Sequence, residues 1–137
     1  MVMKKVIENK SLVTDRKKVL VVDDDAGILD AISIILKEEG YEVDTAFKGE
    51  ETLKKAYSFR PDIILLDVLM SGKDGRDICM NFKSNPITKE IPVIMISAHP
   101  GAKASIKECG ADDFLSKPFD IVDLLAIIKK HLVLRKH

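Results

Sequence analysis

The chain has 137 residues, 46% of them hydrophobic and 32% charged, with no net formal charge. That length suits one domain with a real core and is too short for two ordinary ones. The hydrophobic share excludes a disordered chain, and the charge balance excludes a global field that would attract nucleic acid or an anionic membrane.

Residues 1–16 mix charge with polarity and carry Lys4, Lys5 and Lys10. They are read as an N-terminal extension, either a flexible arm or a short helix. No apolar run approaches the length of a membrane span, and Met1-Val2-Met3-Lys4-Lys5 leads into no signal-peptide core. A cytoplasmic location is expected. Cys79 and Cys109 lie far apart and in no CxxC pair, so both are read as reduced thiols.

Regular structure begins near Lys17. Val19 to Val22 is a continuous apolar run, as in a strand buried on both faces. Asp25 caps the next helix, in which Ile28, Leu29, Ile32, Ile35 and Leu36 recur at helical spacing until Gly40 closes it. Tyr41 to Ala46 alternates as a short strand. Gly49 to Phe59 is a helix with Leu53, Ala56 and Tyr57 inward, broken by Arg60-Pro61. Asp62 to Leu66 is the third strand, and Asp74 to Phe82 the third helix. Ile91 to Ile96 is the fourth strand, and Ala102 to Cys109 a shorter helix closed by Gly110. Asp113 to Leu115 is a brief fifth strand. Ile121 to Leu132 is the last helix, with Ile121, Leu124, Leu125, Ile127, Ile128 and Leu132 on an apolar face.

Strict β-α alternation, five times over, predicts a parallel sheet with helices on both faces. Ligands of such sheets bind at the carboxyl ends of the strands, near the switch point. Three apolar runs end there in polar residues: the first strand in Asp23-Asp24-Asp25, the third in Asp67, the fourth in Ser97-Ala98. In the strand order 2-1-3-4-5 the first and third strands are neighbours, so Asp23, Asp24 and Asp67 converge. Unpaired, they repel and raise each other's pKa. A divalent cation relieves this, and Mg²⁺ is favoured because the ligands are oxygens and because it shares coordination with phosphate. Asp25 is the better helix cap and the poorer ligand. Lys117, after the fifth strand, can reach the same edge and pair with a carboxylate or a phosphoryl group. Pro118 is placed to stiffen that loop.

These residues resemble the receiver domain of two-component response regulators, of the chemotaxis-regulator kind. The resemblance covers about residues 17–133 and rests on Asp23-Asp24, Leu66-Asp67-Val68-Leu69-Met70 with Asp74-Gly75, Ser97-Ala98, and Lys117-Pro118-Phe119. It implies a flavodoxin-like (βα)5 three-layer sandwich over 17–134, followed by the basic end 135–137. It implies that Asp67 accepts a phosphoryl group from the phosphohistidine of a sensor histidine kinase or a histidine phosphotransfer protein. Asp23, Asp24, Asp67 and the Leu69 carbonyl would hold Mg²⁺, with Asp23 acting largely through a metal-bound water. Lys117 and Ser97 would hold phosphoryl oxygens. Phe114 matches the family's switch aromatic, turning inward when Ser97 moves and altering the surface of the fourth helix, fifth strand and fifth helix. Such a chain is a signalling phosphoacceptor, not an enzyme acting on other substrates.

Three departures stand out. Ser71 replaces the usual proline, and Phe114 lacks the hydroxyl of the common tyrosine. Leu69 and His99 occupy the positions that tune dephosphorylation, and Leu69 is bulky enough to obstruct the attacking water. A long-lived aspartyl phosphate is therefore expected, with His99 a solvent-exposed loop residue.

Two other functions compete. A pseudo-receiver would bind partners without phosphorylation, against which the full set of acidic pair, acceptor, hydroxyl and lysine argues. A phosphatase with an aspartate nucleophile would need a second acid two residues on, where Leu69 stands. Output is expected through a downstream partner protein or an output domain of a longer chain, with no nucleic acid or membrane bound by this domain. Ile127, Ile128, Val133 and Leu134 cannot all face one core, which leaves a homodimer contact on phosphorylation open.

Overall fold

The computed structural model describes residues 16–70, 73–99 and 108–135. Within them the chain alternates as expected. Strand β1 (Lys18–Val22) is followed by helix α1 (Ala26–Glu38), β2 (Glu42–Ala46), α2 (Gly49–Phe59), β3 (Ile63–Asp67), α3 (Gly75–Ser84), β4 (Val93–Ser97), β5 (Asp113–Ser116) and α4 (Ile121–Arg135). The helix expected over 102–109 falls outside the described residues, apart from its helical end at Glu108 and Cys109. The same holds for the N-terminal extension up to residue 15 and for residues 136–137.

The five strands pair in parallel in the order β2-β1-β3-β4-β5. This is the order 2-1-3-4-5 of the flavodoxin-like sandwich. From β1 to β4, parallel pairing follows from the helical crossovers, which return each strand to the same starting edge. β1, β3 and β4 are central, and each is buried along nearly its whole length, which accounts for their unbroken apolar runs.

Alternate side chains feed two cores. Val19, Val21, Ile63, Leu65, Ile94, Ile96 and Leu115 pack against Leu29, Ile32 and Leu36 of α1 and Leu124 and Ile128 of α4. Leu20, Val22, Ala46, Ile64, Leu66, Val93 and Met95 pack on the other face against Ala56 of α2 and Ile78, Cys79 and Phe82 of α3. Each such fully buried side chain contributes about 1.5–3 kcal/mol relative to exposure.

The helix ends follow local chemistry. Asp25 caps α1 by accepting hydrogen bonds from the backbone N–H groups of Gly27 and Ile28. Gly40, at φ 94°, takes the left-handed turn after that helix. Asp74 caps α3 by accepting from the Arg76 N–H.

Two inward assignments need correction. Tyr57 is 42% exposed, and its hydroxyl accepts a hydrogen bond from the Asn85 side chain; Thr52 and Ala56 carry the buried stripe of α2 instead. Ile121 is 51% exposed, and His131 takes the inward position one turn beyond Ile128. Neither cysteine is in a disulfide and both are buried, in keeping with reduced thiols.

Candidate functional site

β1 and β3 run side by side, with Val22 opposite Leu66, so the residues that follow them emerge together. A ligand oxygen from each of Asp23, Asp24 and Asp67 fits within 4.8 Å of the others. Asp23 and Asp67 are buried, and Asp24 is partly exposed. Asp23 is held by its own backbone, whose N–H donates to the Ala46 carbonyl, and by the Asp25 N–H, which donates to its Oδ1 at 2.9 Å. The buried acid is therefore held at Oδ1, with Oδ2 turned toward Lys117.

Lys117 closes the cluster from the β5 side. Its Nζ lies 3.0 Å from Asp23 Oδ2 and 3.6 Å from Asp67 Oδ1. Its loop is anchored by the Lys117 N–H, which donates to the Ser97 carbonyl, and the Lys117–Pro118 peptide bond is cis. Burial alone would lower the lysine pKa, but the hydrogen bond to Asp23 and the charges of Asp23 and Asp67 more than offset it and raise the value.

Asp67 moves the other way from an ordinary carboxyl group. Burial and the neighbouring Asp23 charge, with a further push from Asp24, carry its pKa up to about 6. Lys117 and a hydrogen bond from the Leu69 N–H work against the rise. Three carboxylates converge here, and an all-oxygen donor set at a partly open edge fits a hard divalent cation such as Mg²⁺.

Ser97 reaches the same edge. Asp67 pairs with Ile96 of β4, which places Ser97 one residue further along the neighbouring strand. Ser97 is buried, and its Oγ accepts from the His99 N–H at 3.0 Å, leaving the hydroxyl proton free to be donated elsewhere. His99 itself is exposed. Phe114, opposite Met95 on β5, is partly buried against the core shared with α2 and α3. Leu69, two residues after Asp67, is 55% exposed.

Two features were not foreseen from the sequence. A two-residue ribbon, Leu69–Met70 against Lys73–Asp74, carries the chain away from Asp67. Gly75 then packs directly on the Asp67 main chain, and a Cβ there would collide with the Asp67 carbonyl oxygen. The Asp-Gly pair was visible as a motif, but its contact across the loop was not. Beside the site, Ile28, Ala98, Lys117, Pro118 and Phe119 line an open, mostly apolar cleft of about 460 Å³.

The family model of the response regulator receiver domain matches residues 19–129, spanning every site residue described above. The chain belongs to the response regulator receiver domain family. Solved relatives agree. A chemotaxis response regulator of Vibrio cholerae is 35% identical over 85% of this chain and 98% of its own, with a TM-score of 0.79. A CheY-like receiver domain protein of Methanospirillum hungatei JF-1 is 30% identical over 88% of this chain and 97% of its own, with a TM-score of 0.82. The receiver domain of a signal transduction histidine kinase from Syntrophus aciditrophicus is 34% identical over 85% of this chain and 90% of its own, with a TM-score of 0.79. Receiver domains are signalling phosphoacceptors of two-component systems. They take histidine kinases as partners and bind Mg²⁺ at a cluster of acidic residues, and such a cluster is present here. Among the described residues, no helix is long and apolar enough to cross a membrane.

Proposed function

We propose that this receiver domain is a phosphorylation-dependent switch in which Asp67 takes the phosphoryl group from a phosphohistidine of a sensor kinase or histidine phosphotransfer protein. The observation that carries this reading is the meeting of Asp23, Asp24 and Asp67 with the Lys117 ammonium at one strand edge. An aspartate oxygen attacks phosphorus as the nitrogen–phosphorus bond breaks, and the imidazole leaves. Such transfer needs positioning and charge stabilisation more than covalent help.

Asp67 is the nucleophile. Asp23, Asp24 and Asp67, with the Leu69 carbonyl, are the residues to hold Mg²⁺, which when bound offsets the negative charge of carboxylate and phosphoryl group. Lys117 leaves Asp67 for a phosphoryl oxygen, a short move from 3.6 Å. Ser97 donates its hydroxyl to another. The product adds close to two negative charges to a small pocket. Ser97 is drawn toward it, and Phe114 fills the space behind, altering the surface of β5 and α4. The cleft at Ile28, Lys117 and Phe119 adjoins the nucleophile and offers the donor protein an apolar landing surface.

Incubation with Mg²⁺ and acetyl phosphate tests this directly. Intact mass should rise by one phosphoryl group, and Asp67→Asn should abolish the gain. A phosphorylation-independent interaction module would show no gain in either protein.

A further inference from the structure

We infer that Asp113 and His131 form a clamp that carries the motion of Phe114 across the sheet to α4. The inference rests on the phosphoryl switch proposed above and concerns how its signal leaves the site.

Phe114 and α4 lie on opposite faces of β5. Phe114 packs into the core shared with α2 and α3, whereas its neighbour Leu115 packs with Leu124 and Ile128 of α4. Side chains alternate along a strand, so Asp113 shares the α4 face with Leu115. β5 is also the edge of the sheet, with β4 on one side only.

The Asp113 carboxylate joins the two sides. Its Oδ1 accepts the backbone N–H of Phe114 at 2.9 Å. Its Oδ2 lies 2.8 Å from His131 Nε2 and 3.3 Å from the Lys130 ammonium. An ionised carboxylate only accepts, so the His131 ring donates through Nε2. Burial would push the Asp113 pKa up, but the bonds from His131, the Phe114 N–H and Lys130 outweigh it and hold the value below the usual carboxylate range. The carboxylate therefore stays ionised and bonded near neutral pH.

His131 is a costly residue to place here. It is only 8% exposed and continues the buried stripe of Leu124 and Ile128, where a leucine would pack without needing a partner. The phosphoryl site, at the other end of β5, has no use for it. The bond it makes turns an otherwise greasy contact between β5 and α4 into a directional one. The peptide of the switch aromatic and the final turns of α4 thus share one carboxylate, and movement of β5 at Phe114 is felt by α4.

Amide NMR of the full chain, with Mg²⁺ and beryllofluoride as the phosphoryl analogue, tests the clamp. In the wild type, signals from Phe114 and from residues 128–135 of α4 should both shift. In His131→Leu the Phe114 shift should persist while the α4 shifts are lost. His131→Gln, which keeps a donor near the Nε2 position, should restore them, and Lys130→Ala should leave them in place. Should His131→Leu not fold, Asp113→Ala removes the same bond from the strand side and is read in the same way. α4 shifts of wild-type size in either clamp variant overturn the inference. Absence of bound-fluoride signals in the wild type overturns the phosphoryl reading itself, and the clamp with it.

Discussion

Gly75 lies against the main chain of Asp67, and its N–H donates to the Val68 carbonyl at 2.6 Å. A built Cβ would also sit 3.0 Å from the Asp67 carbonyl carbon and the Val68 Cα. These are backbone atoms, which cannot swing aside as a flexible side chain would. The start of α3 therefore sets where the end of β3 lies.

Gly75→Ala should consequently damage the site more than its size suggests. Overpacking of this kind costs about 1–3 kcal/mol. Displacement of Asp67 by a fraction of an ångström should slow phosphorylation by acetyl phosphate by about tenfold or more. Thermal melting and the time course of intact mass check the two effects. A variant that melts lower but phosphorylates at the wild-type rate would show that the contact supports the fold alone.

Asp67 makes stability depend on pH in an unusual direction. In the folded chain it keeps its proton up to about pH 6, whereas an ordinary aspartate releases it near 3.8. Between these values the folded state binds the more protons, so this residue's contribution to stability falls as pH rises. Asp67→Asn removes the penalty. Without metal, the variant should be the more stable protein above pH 6, by on the order of 1 kcal/mol after discounting for solvent screening. Mg²⁺ should stabilise the wild type little at pH 5 and clearly at pH 7.5, because the ion binds the ionised cluster. Thermal melts of both proteins with and without Mg²⁺ check this. Groups such as Asp113, whose value is lowered, act oppositely and cancel in the comparison.

The Lys117 ammonium lies 3.0 Å from Asp23 and 3.6 Å from Asp67. Lys117→Met should raise the Asp67 pKa further, since the lysine charge currently opposes the rise. Loss of a positioned cation at a phosphoryl group costs about a hundredfold in rate by analogy with other transition-state donors. The pH dependence of acetyl phosphate labelling should move to higher pH in the variant. An unchanged profile would mean that the ion pair does not govern ionisation of the nucleophile.

Leu69 is apolar and more exposed than not, and under the proposed function it stands where water approaches the phosphorylated Asp67. It can neither donate to nor accept from that water. Leu69→Asn should shorten the lifetime of the aspartyl phosphate by about tenfold, equivalent to ~1.4 kcal/mol of barrier. Decay of the phosphorylated mass after removal of the donor checks this, and an unchanged lifetime would acquit Leu69.

Much of this was legible in the residues. Central strands buried on both faces, such as Ile63-Ile64-Leu65-Leu66, must be continuously apolar, and the first polar residue after each must lie at the shared edge. That logic finds Asp23, Asp24, Asp67 and Ser97 without coordinates. It fails where a polar residue is buried or an apolar one is not. Thr52 was passed over because it is polar, yet its hydroxyl is satisfied by donating to the Lys48 carbonyl one turn back, which lets it face the core. Tyr57 was taken for a core residue because its ring is apolar, yet its hydroxyl holds it at the surface beside Asn85. The Asp113–His131 bond spans β5 and α4, and neither periodicity nor spacing announces it. The Leu69–Met70 ribbon is too short to show any period.

The position of the phosphoryl group is the most direct measurement. After labelling with Mg²⁺ and acetyl phosphate, borohydride reduction converts an aspartyl phosphate to homoserine, and peptide fragmentation locates the reduced residue. Homoserine should appear at position 67 alone and vanish when Mg²⁺ is chelated. Homoserine at position 23 or 24, or none in a protein that is folded and holds Mg²⁺, would contradict the assignment of Asp67 as the phosphoryl acceptor.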